Sequence, residues 1–106
     1  PDWFQTNWKK RREDLIRSGR APVRQNGTVD DSAVDFIVSR DILSAYKDKR
    51  SERLTPMLNF CHCMLIEEAK SRKKARPEDY AVRTLNAVID RVQLPIKKKT
   101  EVDLEM

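Results

Sequence analysis

Residues 55–70 read TPMLNFCHCMLIEEAK, and the apolar run inside this stretch decides the fold class. The run from Met57 to Ile66 has two polar residues in ten, so it is too short to cross a membrane and too continuous for a half-exposed helix. A buried strand would also fit, but the strongly helix-forming Glu-Glu-Ala-Lys that follows favours a helix. Thr55 is predicted as the N-cap of this helix and Pro56 as its first residue. The sequence therefore predicts a central helix for the core.

Three further helices are predicted from apolar residues at helical spacing. The first runs from about Trp3 to Ser18, with Gly19 as a suitable C-cap. The second runs from Ser32 to Lys47, and the fourth starts near Arg76 and stops at Leu94-Pro95. Short connections between the last three helices favour antiparallel neighbours.

The one substantial loop is predicted between the first two helices, at Arg20–Thr28. Pro22 and the Asn26-Gly27 pair are turn formers, and a minimal hairpin around Asn-Gly stays open as an alternative to an irregular connection. Asp30 or Asp31 is expected to cap the second helix.

The predicted fold is an all-α bundle of four helices, with a fifth helix as an alternative. A chain of 106 residues is one domain's worth, and 2 glycines argue against a turn-rich β fold. We expect a single helical domain at residues 1–95 and a charged tail at 96–106. The predicted core consists of Trp8, Leu15, Val34, Ile37, Val38, Phe60, Cys61, Met64, Leu65, Leu85, Val88, Ile89 and Val92.

The predicted tail has a pattern of its own, because Val102, Leu104 and Met106 alternate with acidic residues. Such a segment is either disordered by itself or a short element that pairs with a neighbour.

Basic residues outnumber acidic ones by 22 to 17, which gives a net charge of +5. Cations at helix C-termini complement the helix dipole, so one interpretation of the basic clusters is structural. The functional interpretation is an electrostatic footprint for nucleic acid, in which Lys and Arg neutralise phosphates and release counterions. Acidic lipid surfaces are a third alternative. The candidate nucleic-acid contacts are Lys9, Lys10, Arg11, Arg12, Lys70, Lys73, Lys74, Arg72 and Arg76.

The aromatic residues beside the first basic run have two interpretations. Exposed aromatic rings next to cations can stack on nucleobases, but more often such rings anchor a terminal helix on the core. We expect Trp8 to be buried and Trp3 to be the better candidate for contact with a partner. At least three of the four residues at 9–12 are expected to point outward.

The sequence predicts neither a metal site nor a nucleophilic pair at Cys61, His62 and Cys63. Successive residues in a helix diverge by about 100°, and the chain has 2 Cys and 1 His in total, so ligands would not converge. We expect Cys61 in the core, Cys63 near its edge, and His62 either near the surface or capping a polar contact. No metal, cofactor or catalytic residue is predicted.

The acidic residues likewise have structural interpretations. Asp30, Asp31 and Asp35 are placed at an N-cap or on a charged helix face, with Glu67 and Glu68 on another such face. Asp41 interrupts the apolar stripe of the second helix.

These observations favour a non-enzymatic, basic, helical domain whose lysines and arginines contact the phosphate backbone of RNA or DNA. The alternative is a protein-interaction or self-assembly module with an apolar groove for a partner helix or peptide, and a homo-oligomer stays open. Closely spaced free cysteines indicate a reducing compartment, the nucleus or the cytoplasm, or a viral protein acting there. No apolar run reaches the ~20 residues of a membrane span.

Overall fold

The computed structural model describes residues 2–48 and 51–96, and side chains within 4–48 and 52–96. Four α-helices follow one another along the chain: α1 (Asp2–Arg17), α2 (Asp31–Ser44), α3 (Ser51–Ser71) and α4 (Pro77–Val92). The described residues contain no strand, only one isolated β-bridge in the loop before α2. The predicted all-α bundle is confirmed.

The helices α2 and α3 form the centre of the bundle. They contact each other, and each also contacts both α1 and α4. Phe4 of α1 lies beside Phe60, and Arg12 beside Glu68, so α1 and α3 run in the same direction. A short turn returns α4 antiparallel to α3. The C-terminal parts of α1 and α3 therefore meet the N-terminal parts of α2 and α4 at one end, which we call the Asp35 end after the α2 residue at its centre.

The core lies along the inner faces of all four helices. Most of the predicted core residues are buried, with Trp8, Val34, Cys61, Leu65, Leu85 and Val88 completely so. Ile37, Phe60 and Val92 are half-buried and pack against this core rather than inside it, because they lie at the edges of their helices' buried faces. The buried residues that the sequence did not assign to the core are Ile42, Leu43, Leu54, Leu58, Ala69, Tyr80, Ala81, Val82 and Leu94.

The start of α3 corrects the sequence prediction. The helix begins at Ser51, and Pro56 lies inside it rather than at its first position. Proline cannot donate a backbone hydrogen bond, so an interior position is unfavourable. The extra turn buries Leu54, which is 1% exposed, and burying a leucine contributes about 1.5–3 kcal/mol. Tertiary packing thus outweighs the local start signal.

The other helix boundaries follow their capping residues. Asp30 caps α2 by accepting a hydrogen bond from the backbone N–H of Ala33 at 3.1 Å. Gly19 follows α1 with φ of 76°, the left-handed conformation that glycine adopts without strain. The loop between them closes through a single antiparallel bridge, Val23 to Val29, so the hairpin alternative is realised at its smallest.

The turn between α3 and α4 places Lys73 in a left-handed conformation, with φ of 57°. The backbone N–H of Lys74 donates to the carbonyl of Ala69, and that of Lys73 to the carbonyl of Lys70, both at 3.0 Å. These two bonds form a Schellman cap, whose left-handed position favours glycine. Lys73 is therefore held in an exposed position at a cost in backbone strain.

The predicted tail begins with Ile96, which packs against the core. The rest of the predicted tail, residues 97–106 with Val102, Leu104 and Met106, lies outside the described residues. Within the described part of the chain, none of the helices has the length and apolar character that crossing a bilayer requires.

Replacing Lys73 by glycine tests the strain at this turn. Lys73→Gly is expected to raise the free energy of unfolding by about 1 kcal/mol, because the penalty of a left-handed residue with a Cβ disappears. Urea unfolding measures the change. Lys73→Ala is the control, since it removes the charge but keeps the Cβ, and it should give no such gain. Equal effects of the two substitutions would contradict the strain argument.

Candidate nucleic-acid interface and the buried carboxylate behind it

Asp35 is a completely buried carboxylate in the second turn of α2. One of its oxygens accepts a hydrogen bond from Nε of Arg12 at 3.2 Å. The other accepts from Nη2 of Arg72 and from the hydroxyl of Tyr80, each at 2.6 Å. A buried charge needs this degree of pairing, because desolvating it costs several kcal/mol. The expectation that Asp35 lies at an N-cap or on a charged helix face was therefore wrong.

Two further acids complete the network around the arginines. Asp31 accepts a hydrogen bond from Nη2 of Arg12 at 2.9 Å. One oxygen of Glu68 lies 3.1 Å from Nε of Arg12 and 3.5 Å from Nη1 of Arg72. Burial raises the pKa of Glu68, opposed mainly by the charge of Arg12. The guanidinium groups of Arg12 and Arg72 are thus shared among three carboxylates. Most of their ion pairs are therefore made within the molecule.

Tyr80 connects this network to the fourth helix. Burial, together with the hydrogen bond that its hydroxyl donates to Asp35, raises the pKa of Tyr80 to about 12. Its phenol therefore stays protonated and acts as a donor at physiological pH. The ammonium of Lys74 lies 4.6 Å from the centre of the Tyr80 ring, a cation–π contact that fixes the α3–α4 turn.

A signal for the buried acid is present in the α2 sequence. Asp35 lies directly after Val34, three residues before Val38 and seven before Ile42, and all four are buried. An acid inside an apolar stripe at helical spacing indicates a paired, buried carboxylate. Asp41, which the sequence analysis took as the polar interruption, is exposed and paired with the neighbouring Arg40 at 3.2 Å.

The four residues of the first basic run, 9–12, lie in different surroundings. Lys9, Lys10 and Arg11 are exposed and Arg12 turns inward, so the expectation of three outward residues is confirmed. Lys9 lies on the α3 side of α1. It is close enough to Glu68 for its positive charge to lower the pKa of that carboxyl, which burial raises. Arg11 lies on the other side, where it lines clefts shared with α2.

The second basic cluster, at residues 70–76, also has some exposed side chains and some that are held inside the molecule. Lys70, Lys73 and Arg76 are exposed around the α3–α4 turn. Arg72 is held by Asp35, and Lys74 lies half-buried on the Tyr80 ring. The contact between Arg12 and Glu68 joins α1 to the end of α3. The structure therefore brings parts of both predicted clusters, Lys9 from one and the Lys70–Arg76 turn from the other, toward the Asp35 end.

An open cleft between α2 and α4 adjoins the turn. Its volume is about 530 Å³. The half-buried ring of Phe36 lies beside cationic and hydroxyl groups in its lining, which includes Ser32, Lys74, Tyr80, Arg83 and Thr84. Arg83 also pairs with Asp79 at 3.3 Å on the helix surface. Cations around an aromatic face suit a ligand with both phosphate and planar rings.

The structure tests only one of the predictions made for the two tryptophans. Trp8 is completely buried and meets Phe60 edge-on with ring centres 6.3 Å apart, which confirms its predicted role as an anchor. The side chain of Trp3, the predicted partner contact, lies outside the part of the chain that the structure describes.

The cysteines and His62 show no converging geometry. Cys61 is buried as predicted, Cys63 is exposed and His62 is half-buried. Among the described residues, no group of three His, Cys, Asp or Glu side chains is placed to hold a metal ion.

Thiol reactivity should separate the two cysteines. Burial raises the pKa of Cys61 to about 12, opposed by the charge of Arg11, so little of the reactive thiolate forms. A thiol reagent at pH 8 is expected to modify one equivalent per chain rapidly, at Cys63, and a second only after unfolding. Cys63→Ser, the control, should abolish the rapid phase. A rapid phase that survives this substitution would contradict the burial of Cys61.

Removing the charge of Asp35 tests the buried network. Asp35→Asn keeps the volume but leaves Arg12 and Arg72 facing a neutral group, so the free energy of unfolding should fall by about 3 kcal/mol. Asp41→Asn removes an exposed acid from the same helix and should change it by less than about 0.5 kcal/mol. Urea unfolding at pH 7 compares the two. Similar losses would contradict a special role for Asp35.

Comparisons with protein-family models, with curated proteins and with solved structures find no match to this chain. Its function is therefore inferred from its own residues.

Proposed function

We propose that this chain is a non-enzymatic domain that binds nucleic acid through contacts to the phosphate backbone. The observation that carries the proposal is the exposed basic turn after α3, which lies at the same end of the bundle as Lys9. Lys70 and Lys73 are exposed there and form no ion pair with the described residues. The proposed contact set is Lys9, Lys10, Arg11, Lys70, Lys73, Lys74 and Arg76.

Physical chemistry favours exposed lysines such as Lys70 and Lys73 as phosphate contacts. An exposed cation without an acid partner neutralises a phosphate and releases a counterion, which contributes affinity without sequence preference. Arg12 and Arg72, also candidates from the sequence, are placed differently, because their charges are shared with Asp31, Asp35 and Glu68. Their proposed role is to position the helices that carry the exposed cations.

The cleft between α2 and α4 favours single-stranded over double-stranded ligands. Phe36 presents part of its ring beside Lys74 and Arg83, and unpaired bases stack on aromatic faces while cations hold the backbone. A duplex has its bases already stacked and would gain only the phosphate contacts. The proposal therefore names single-stranded RNA or DNA as the preferred ligand, in the nucleus or the cytoplasm.

A protein-interaction module is the second candidate, and one observation favours it. At the end opposite Asp35, α1, α2 and α3 enclose an apolar groove of about 380 Å³. Tyr46, Met57 and Phe60 line it and are half-buried. Half-exposed aromatic and methionine side chains in a groove are typical of surfaces that accept a peptide.

Binding titrations at two salt concentrations test the nucleic-acid proposal. Lys70→Glu/Lys73→Glu should weaken binding of a fluorescent single-stranded 20-mer by about tenfold or more at low salt. Losing two phosphate contacts should also reduce the slope of log affinity against log salt by about 1.4. Fluorescence anisotropy measures both quantities, with a duplex of the same sequence as the comparison ligand.

The matched control carries the same change in charge at the opposite end of the bundle. Lys47→Glu/Arg91→Glu alters two exposed cations and should keep the salt slope close to that of the unmodified chain. Equal losses in the two double variants would mean that overall charge alone drives binding. Unchanged affinity in both would contradict the assignment of phosphate contacts to Lys70 and Lys73. No measurable binding by the unmodified chain would remove the nucleic-acid proposal.

A further inference from the structure

The groove between α1, α2 and α3 is lined mainly by apolar side chains. Ile42 and Tyr46 contribute to it from the end of α2, and Met57 and Phe60 from α3. Its volume of about 380 Å³ is near the lower limit of ligand pockets, which span about 300–1,000 Å³. The groove therefore has room for a few side chains of a ligand, and its aliphatic and aromatic lining favours apolar side chains over phosphate groups.

Two exposed arginines, Arg11 of α1 and Arg53 of α3, also line the groove. Neither forms an ion pair with a residue that the structure describes. None of the described residues lining the groove is acidic, whereas the cleft on the other side of Arg11 contains Asp14 and Asp41. The positive charge at the groove is therefore not neutralised by these neighbours, and it favours a ligand that carries acidic groups.

The two arginines lie toward opposite ends of the groove. The ring centres of Phe4 and Phe60 are 5.2 Å apart, which sets these two residues at the same level of α1 and α3. Arg11 follows Phe4 by seven residues, whereas Arg53 precedes Phe60 by seven. Because α1 and α3 run in the same direction, these steps of about two helical turns lead away from the aromatic pair in opposite directions. A ligand in the groove therefore meets a positive charge on both sides of its apolar part.

We propose that this groove binds a peptide segment of a partner protein in which large apolar side chains are flanked on both sides by Asp or Glu. The apolar side chains contact Tyr46, Met57 and Phe60, and the acidic side chains pair with Arg11 and Arg53. A short amphipathic helix has the required form, since residues three or four apart share one face. This inference rests on the second candidate function and names the class of its ligand.

Selection from an unbiased peptide library tests this ligand class. A phage-displayed library of random 16-residue peptides is panned against the full chain and, in parallel, against Met57→Lys, which places a charge in the groove. Peptides enriched by the unmodified chain should contain large apolar residues with Asp or Glu on both sides, and the variant should not enrich them. Enrichment of peptides without acidic residues overturns the proposal but leaves the second candidate function. No enrichment at all removes both.

Charge reversal measures the contribution of the acidic residues. Arg53→Glu should weaken binding of the most enriched peptide by at least about threefold, because an attraction becomes a repulsion. Arg53 is reversed rather than Arg11, which also belongs to the proposed nucleic-acid contact set. Arg24→Glu, the same change at an exposed loop position, is the matched control and should leave the affinity unchanged. Equal losses in the two variants, measured by fluorescence anisotropy, would assign the binding to net charge and overturn the proposal.

Two other occupants of the groove have distinct signatures in the same variants. If a second copy of the chain fills the groove, the mass by light scattering rises with concentration, and Met57→Lys suppresses the rise. If single-stranded nucleic acid fills it, Met57→Lys weakens binding of the 20-mer even though the substitution adds a positive charge. Either result overturns the proposal, because a site for an acidic peptide predicts neither.

Discussion

The buried carboxylate of Asp35 is the constraint on which the arrangement of the four helices depends. Its ligands come from α1, from the residue just after α3, and from α4. Each must approach within hydrogen-bond distance, because a buried charge without partners would cost more than the fold can tolerate. One carboxylate on α2 thereby fixes the positions of the other three helices at this end. Apolar packing supplies most of the stability, while Asp35 limits which packing is acceptable.

The same network divides the cations of the chain into two groups. Arg12 and Arg72 are held by acids, and Lys74 lies on the ring of Tyr80, so these three side chains organise the α3–α4 turn and the end of α1. Lys70 and Lys73 are therefore exposed on a turn that these contacts hold in place. The proposed binding surface would gain affinity from this, because less conformational freedom is lost when the ligand is bound.

The sequence predicted the helices more accurately than it predicted the network. The helix α4 follows from Pro77 at its first position and an apolar stripe, both local features. The start of α3 was misplaced because Thr55-Pro56 is also a local signal, and the burial of Leu54 overrides it. Asp35 was misplaced because its partners lie 23, 37 and 45 residues away, beyond any periodic pattern. Spacing identified the helices, but it did not show which acid and which arginines meet between them.

A double-mutant cycle between Asp35 and Arg72 tests the central claim most directly. The free energies of unfolding of the unmodified chain, Asp35→Asn, Arg72→Gln and the double variant give the coupling between the two side chains. A buried pair at 2.6 Å should show a coupling of at least about 1 kcal/mol, so that the second substitution costs little after the first. Additive losses, with a coupling near zero, would contradict the view that this carboxylate holds the helices together.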